Sequence, residues 1–318
     1  MRALVVLAAL TLAATAPLAP LGAQQRQTIG FESTSKGGTV RPTAEIHWPD
    51  KPGPLPAMVI HHGSGGVGAG REGRFAREMV AMGVAAVVID SFGPRGVVST
   101  VTDQDAVPFG DFNRDAVRIL PVLAATPRID RTRIGVMGFS KGGTSALLAS
   151  HEELLAAAGV PAGLRYALHV PFYPGCNAHY YKPRTTGAPI HMLLGGADTY
   201  TGVEPCTEYA ADMKAAGANI EVTIYPGARH GFDGGRDYYN PRGENYRACV
   251  FKQGPDGIFI ERKSGVATSE RGVAVPGAFA KAVAGCMTKG VEGGGQAEAS
   301  TRSMADLKGY VRRHLLGN

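Results

Sequence analysis

From residue 55 onward, short and continuous apolar runs alternate with longer stretches of helical spacing, and this alternation constrains the chain more than any other feature. Ala57-Met58-Val59-Ile60 ends at His61-His62-Gly63, an amphipathic stretch covers about residues 71–82, and a second apolar run follows at 84–90. Residues 111–125 read as a helix with Phe112, Val117, Ile119, Leu120 and Leu123 as its apolar members and Pro121 as a candidate kink. Strands are predicted at 133–139, 166–173 and 189–195, and helices at 141–150 and 204–216. The run 220–225 alternates, as a strand nearer a sheet edge should. Strands that are apolar on both faces must be covered on both faces, so the pattern predicts an α/β fold with a mostly parallel central sheet and helices on either side. Residues 24–50 are expected to add one or two antiparallel strands at an edge. Residues 234–300 break the rhythm and read as a surface insertion, flexible at 290–295. Met304, Leu307, Val311 and Leu315 then fall at helical spacing.

The 318 residues carry 33 Lys+Arg against 27 Asp+Glu, a net charge of +6, with 44% hydrophobic and 19% charged residues. That balance excludes a disordered chain, a coiled coil and a collagen-like repeat. The basic residues are scattered, and pairs such as Arg131/Arg133 and Arg312/Arg313 are too short for a nucleic-acid footprint. The first 23 residues stand apart: Arg2 precedes an apolar run over 3–14, which Pro17, Pro20 and Gly22 end, with Ala23 before Gln24. The run is too short to span a bilayer, so 1–23 reads as a cleaved secretory signal. The expectation is a periplasmic or secreted protein, residues 24–318 forming one domain with no membrane attachment after cleavage.

Export bears on the four cysteines, Cys176, Cys206, Cys249 and Cys286. With no C-x-x-C pair and no Cys/His cluster, no metal site is expected. Two disulfides are, in one of three connectivities. Cys176 and Cys206 follow neighbouring strands on one rim of the sheet and pair on that ground, which leaves Cys249 with Cys286.

The strongest chemical signal is Gly138-Phe139-Ser140-Lys141-Gly142-Gly143, a G-x-S-x-G pattern between an apolar strand and a helix. A serine on so sharp a turn is lifted above the sheet, and glycines are needed where neighbouring chain passes close to it. The Lys141 backbone N–H then opens a helix and can face a developing oxyanion. A hydroxyl is too weak an acid to attack alone, so it needs a base, and the base needs an orienting acid. Asp198, in Gly195-Gly196-Ala197-Asp198, and His230, in Gly227-Ala228-Arg229-His230-Gly231-Phe232, each follow a strand, in the chain order serine, acid, histidine. All three lie past carboxyl ends of strands, where open α/β sheets build their sites. Asp212 lies within a helix and Asp233 comes after the histidine; His151 and His314 sit on helices, His169 and His191 within strands, and His179 in a loop. The loop His61-His62-Gly63-Ser64-Gly65-Gly66 supplies a second oxyanion donor, the N–H of Ser64 or Gly65, with His62 holding the loop rather than reacting. Tyr173, Tyr180, Tyr200 and Arg95 are candidate pocket residues.

These residues, with Asp90-Ser91-Phe92-Gly93-Pro94-Arg95-Gly96 and His230-Gly231-Phe232, resemble the dienelactone hydrolase family over about residues 55–235 and the final helix. The resemblance implies an α/β-hydrolase domain with a nucleophile–Asp–His triad, here Ser140, Asp198 and His230, and no metal or organic cofactor. Two departures matter. The founding enzymes use a cysteine nucleophile where this chain has Ser140, and a glutamate after the first central strand where it has His62 and Gly63. Hydrolysis of an ordinary carboxylic ester or lactone of a small substrate is therefore the expectation.

A rival fingerprint competes. Gly63-Ser64-Gly65-Gly66-Val67-Gly68 fits G-x-G-x-x-G between strand and helix, and Asp90 ends the next strand. That pattern belongs to nicotinamide-dependent oxidoreductases. It leaves Ser140, Asp198 and His230 unexplained. A binding protein on a hydrolase scaffold is the third reading. Oligomeric state is not legible.

Overall fold

The computed structural model describes residues 25–35, 38–270 and 273–317. The predicted secretory signal lies outside the described residues. Eight strands form the central sheet: β1 (Arg26–Gly30), β2 (Thr43–His47), β3 (Leu55–His61), β4 (Ala85–Asp90), β5 (Ile129–Phe139), β6 (Leu168–Phe172), β7 (Ile190–Gly195) and β8 (Ile220–Tyr225). Their spatial order is β1-β2-β4-β3-β5-β6-β7-β8. The pairings from β4 through β8 are parallel, while β1 and β2 add an antiparallel edge. Among the helices are α1 (Glu72–Ala81), α2 (Phe109–Ala124), α3 (Lys141–Leu148), α4 (Glu152–Ala157), α5 (Glu204–Ala215), α6 (Ala278–Val283) and α7 (Ala297–Val311).

The sheet is parallel because its central strands are apolar on both faces. All seven residues of β3 are buried, as are residues 134–139 of β5. Alternate side chains feed two cores. Ala57 and Val59 pack with Val117, Leu120 and Leu123 of α2, whereas Met58 and Ile60 pack with Phe75 and Met79 of α1 and with Leu307 of α7. Each fully buried side chain of this size contributes about 1.5–3 kcal/mol. β8, at the sheet edge, departs from the expected alternation: only its end residues Ile220 and Tyr225 are buried, and Ile224 is exposed. α2 runs through Pro121 and starts two residues before its predicted boundary.

The stretch 290–295 departs from expectation. Thr288–Gly293 is a strand that pairs antiparallel with Tyr238–Asn245. Gly294 N–H donates to His230 O at 2.9 Å, and Gln296 N–H to Phe232 O at 3.0 Å. A Cβ on Gly293 would drive into His230 O, and one on Gly295 into Gly234 O. These glycines allow backbone to press against the histidine loop, where flexibility was expected from composition alone. Elsewhere in 234–300, Phe251–Gln253 pairs with Ala178–His179 and Phe259–Glu261 over a small core of Cys249, Phe251, Ala282, Val283 and Cys286. Disulfides join Cys176 to Cys206 and Cys249 to Cys286, bonds that an oxidising compartment sustains. Among the described residues, no helix is long and apolar enough to cross a membrane.

Three histidines are built into the fold as neutral side chains. Burial lowers His62, His151 and His169 from 6.5 to about 4. The unfolded chain takes up these protons first, so their contribution is complete above pH 6.5 and is lost as pH falls toward 4. Each group changes stability by at most about 3 kcal/mol across that window. Urea unfolding at pH 7.5 and pH 5 should therefore show a loss of several kcal/mol at the lower pH; equal stabilities would contradict the neutral burial of these rings.

Candidate active site

Ser140 stands between β5 and α3 with φ 54° and ψ −113°, a strained conformation for a residue with a side chain. The crowding around it explains the glycines. A Cβ on Gly138 would run into Gly142 O, one on Gly142 into the carbonyls of His61 and His62, and one on Gly143 into Phe172 O. Ser140 N–H donates to Phe172 O at 3.0 Å, and Thr144 N–H to Ser140 O at 2.9 Å, which pins the turn to β6 on one side and α3 on the other.

The loops after β7 and β8 bring the other two residues to this turn. His230 Nε2 lies 3.0 Å from Ser140 Oγ, and His230 Nδ1 lies 2.7 Å from Asp198 Oδ2. A carboxylate only accepts, so Nδ1 carries the proton and Nε2 faces the serine as the acceptor. Asp198 and His230 are buried at 5% and 3% exposure. Burial acts to raise the Asp198 carboxyl, yet the charge of His230 and hydrogen bonds from His230 and Thr201 outweigh it and hold the group at about 2. Asp198 Oδ1 accepts from the N–H groups of Tyr200 and Thr201 at 2.8 and 2.9 Å, and Oδ2 from Thr201 Oγ1 at 2.7 Å. Thr201 was not legible as a site residue, because only the folded loop turns its hydroxyl back onto Asp198.

Backing for His230 comes from Tyr173, whose φ is 34° and whose ring lies 4.7 Å from the imidazole. Its hydroxyl donates to Asp233 Oδ1. The buried Asp233 carboxylate also pairs with Arg71 at 3.2 Å and Arg74 at 3.5 Å. Asp233 therefore ties the histidine loop to α1 and the Tyr173 turn.

The oxyanion candidates divide. A narrow cavity of about 40 Å³ is lined by Ser140, Lys141, Ser64, Gln104, Phe109 and Tyr200, among others; Gly65 is not on its wall. Ser64 O accepts from Thr100 N–H at 2.8 Å and from Ser99 Oγ at 3.0 Å, which fixes the plane of the following peptide and so the direction of the Gly65 N–H. Gly63 O likewise accepts from Gly66 N–H and from the His62 ring. The His62 ring accepts a hydrogen bond from Ser91 N–H at Nε2 and donates one to Gly63 O from Nδ1, so it is a neutral brace for the loop.

Of the pocket candidates, Tyr200 lines the cavity and Tyr173 lies behind His230. Tyr180 packs instead against His151 and Phe259. The Arg95 side chain is buried in a two-pronged pair with Asp115 at 2.6 and 3.0 Å. Both were placed at the rim by sequence position, but their side chains turn into neighbouring packing. Gln104, Phe109, Thr144, Asn177, Tyr246 and Arg247 complete much of the wall. No local pattern marks them, since they come from loops joined only in the folded chain.

The dinucleotide reading fails on the loop itself. Gly68 N–H donates to the Glu72 carboxylate at 2.7 Å, so an acidic side chain holds the place at the α1 N-terminus where a pyrophosphate would bind. Asp90 Oδ1 accepts from the Phe92 and Gly93 N–H groups and closes its own turn. Among the described residues, no group of three or more His, Cys, Asp or Glu is placed to hold a metal.

The dienelactone hydrolase family model matches residues 43–248, which include β2 through β8 and all three of Ser140, Asp198 and His230. The chain belongs to the dienelactone hydrolase family. A relative from Bradyrhizobium sp, a probable 2-oxo-3-(5-oxofuran-2-ylidene)propanoate lactonase, is 28% identical over 203 residues, covering 59% of this chain and 78% of the relative. Among solved structures, a dienelactone hydrolase-like promiscuous phosphotriesterase from metagenomic libraries superposes with a TM-score of 0.56 at 19% identity, covering 91% of this chain and 98% of that one. A thermophilic esterase from Thermogutta terrifontis superposes at 0.51 and 21% identity, covering 64% and 86%. These superpositions establish the α/β-hydrolase fold.

The crowding at the turn gives a direct test of the site's construction. Gly142→Ala should lose about 3 kcal/mol or more, because its new methyl meets two backbone carbonyls that cannot both retreat. Thermal unfolding of the purified variant measures this, and an unchanged melting temperature would show that the turn is not so constrained.

Proposed function

We propose that this protein is a serine hydrolase that cleaves a carboxylic ester or lactone of a small substrate through an acyl-enzyme. The observation that carries the reading is the unbroken chain Asp198–His230–Ser140, at 2.7 and 3.0 Å, ending at a strained serine on the wall of a cavity. Family membership and the lactonase relative support the reaction class.

The reaction follows from the geometry. Ser140 Oγ attacks the carbonyl carbon while His230 Nε2 takes its proton. Asp198, ionised at any pH above about 2, keeps Nδ1 protonated and stabilises the imidazolium that forms. The carbonyl oxygen, now negative, is held by the Lys141 N–H at the head of α3 and by the N–H of Ser64 or Gly65. His230 returns the proton to the leaving alcohol, and water then repeats the sequence on the acyl-enzyme. In a lactone, the leaving alcohol stays tethered to the acyl group. The secretory signal predicted at 1–23 and the two disulfides support export. A cavity of about 40 Å³ holds only about three waters, which favours short acyl groups.

With p-nitrophenyl acetate, Ser140→Ala should abolish turnover and the pre-steady-state burst. Asp198→Asn should lower kcat on the order of 10⁴-fold without unfolding the protein. Full turnover by Ser140→Ala would remove the reading. Across p-nitrophenyl esters, kcat/KM should be highest for acetyl or propionyl and fall at least about tenfold by octanoyl; a preference for long acyl chains would contradict the cavity as the acyl site.

A further inference from the structure

Lys141 supplies a backbone N–H to the site, but its side chain goes elsewhere. Its ammonium is buried and donates to Val107 O at 2.7 Å, Gln104 O at 2.9 Å and Gln104 Oε1 at 3.3 Å. The rings of Phe109 and Phe112 lie 4.5 and 5.4 Å from it. An ammonium has three donors and no acceptor, so the side-chain atom of Gln104 that faces it must be the carbonyl oxygen. Ser64 Oγ, 3.1 Å from that oxygen, donates to it as well. The Gln104 amide is thereby fixed, and its NH₂ group points the other way, to the Tyr200 hydroxyl oxygen at 3.3 Å.

This fixes what Tyr200 can do. Its oxygen accepts from Gln104, and Ser64 Oγ, whose own proton goes to Gln104 Oε1, is the acceptor beside its O–H, a partner that an incoming substrate oxygen would replace. The ring lies 4.7 Å from that of His230, and Tyr200, Ser64 and Ser140 share the wall of one narrow cavity. Resting on the reading of Ser140 as nucleophile, we propose that the Tyr200 hydroxyl donates a further hydrogen bond to the substrate carbonyl oxygen as it gains negative charge, and that Lys141, through Gln104, keeps that proton aimed at the substrate. No proton is transferred: Tyr200 is a phenol before and after the step. Burial, with Glu244 and Asp198 nearby, raises its pKa to about 12 against the lowering effect of Gln104 and Ser64, so it remains a donor at any working pH. Tyr200 is then a catalytic residue, and Gln104 and Lys141 are positioning residues.

Two substitutions separate this from a packing role. Tyr200→Phe keeps the ring against His230 and removes only the donor. Gln104→Glu keeps an acceptor for Lys141 but replaces the NH₂ with a carboxylate oxygen, which takes the Tyr200 proton for itself. With p-nitrophenyl acetate, each should lower kcat on the order of 10- to 100-fold, with KM within about threefold and the melting temperature of Tyr200→Phe unchanged. The double variant should be no slower than the slower single one, because both remove the same hydrogen bond. A Tyr200→Phe kcat within about twofold of the native protein overturns the proposal, as does a Gln104→Glu variant altered in KM alone or a double variant whose losses multiply. If Gln104→Glu does not fold, Tyr200→Phe decides alone. These outcomes are distinguishable from the Ser140→Ala result: full turnover by Ser140→Ala removes the nucleophile reading, whereas an unaffected Tyr200→Phe removes only the tyrosine donor.

Discussion

The site depends on one strained residue held by backbone packing. A residue other than glycine at φ 54° costs on the order of 1–3 kcal/mol, and it persists only where its surroundings leave no alternative. Here the surroundings are carbonyl groups of His61, His62, Gly138, Gly142 and Phe172, packed so closely that no Cβ fits at residues 138, 142 or 143. Register places these groups together: His61 pairs with Gly138 across β3 and β5, and Phe139 with Phe172 across β5 and β6. The turn is thus an outcome of three adjacent buried strands ending level with one another.

The histidine is positioned by a second, separate set of constraints. Its loop is pressed from one side by the glycine strand at 288–293 and tied by Asp233 to Arg71, Arg74 and Tyr173. Tyr173 also takes a positive φ, so two residues at neighbouring strand ends share the strain of the site. The disulfides act further out. Asn177, beside Cys176, donates to the carbonyls of Tyr246 and Cys249, so the cross-linked segments meet along one cavity wall.

The parts of this arrangement legible in the sequence are those with a local signature. Continuous apolar runs marked the buried strands, because a strand covered on both faces needs apolar residues at every position. The G-x-S-x-G turn was legible because its glycines answer to backbone crowding. Asp198 and His230 followed from chain order and strand ends. What escaped has no local signature. Nothing in the sequence beside Ser140 marks the Lys141 side chain as buried, and only the fold wraps residues 100–107 and three phenylalanines around it. The 290–295 glycines look like a flexible linker, since composition does not distinguish freedom from close approach. Arg95 and Tyr180 sit at the right places in the chain but point into packing. The Gly63–Gly68 loop satisfied a dinucleotide pattern for the same reason that it suits the proposed oxyanion loop: both need backbone close to a ligand.

The most direct measurement is a crystal structure of the protein after reaction with a p-nitrophenyl alkylphosphonate, whose tetrahedral adduct mimics the intermediate of ester cleavage. The account predicts phosphorus bonded to Ser140 Oγ, with the phosphoryl oxygen about 3 Å from the Lys141 N–H and from an N–H of the 63–65 loop. An adduct on another residue, or one on Ser140 whose phosphoryl oxygen faces solvent, would contradict it.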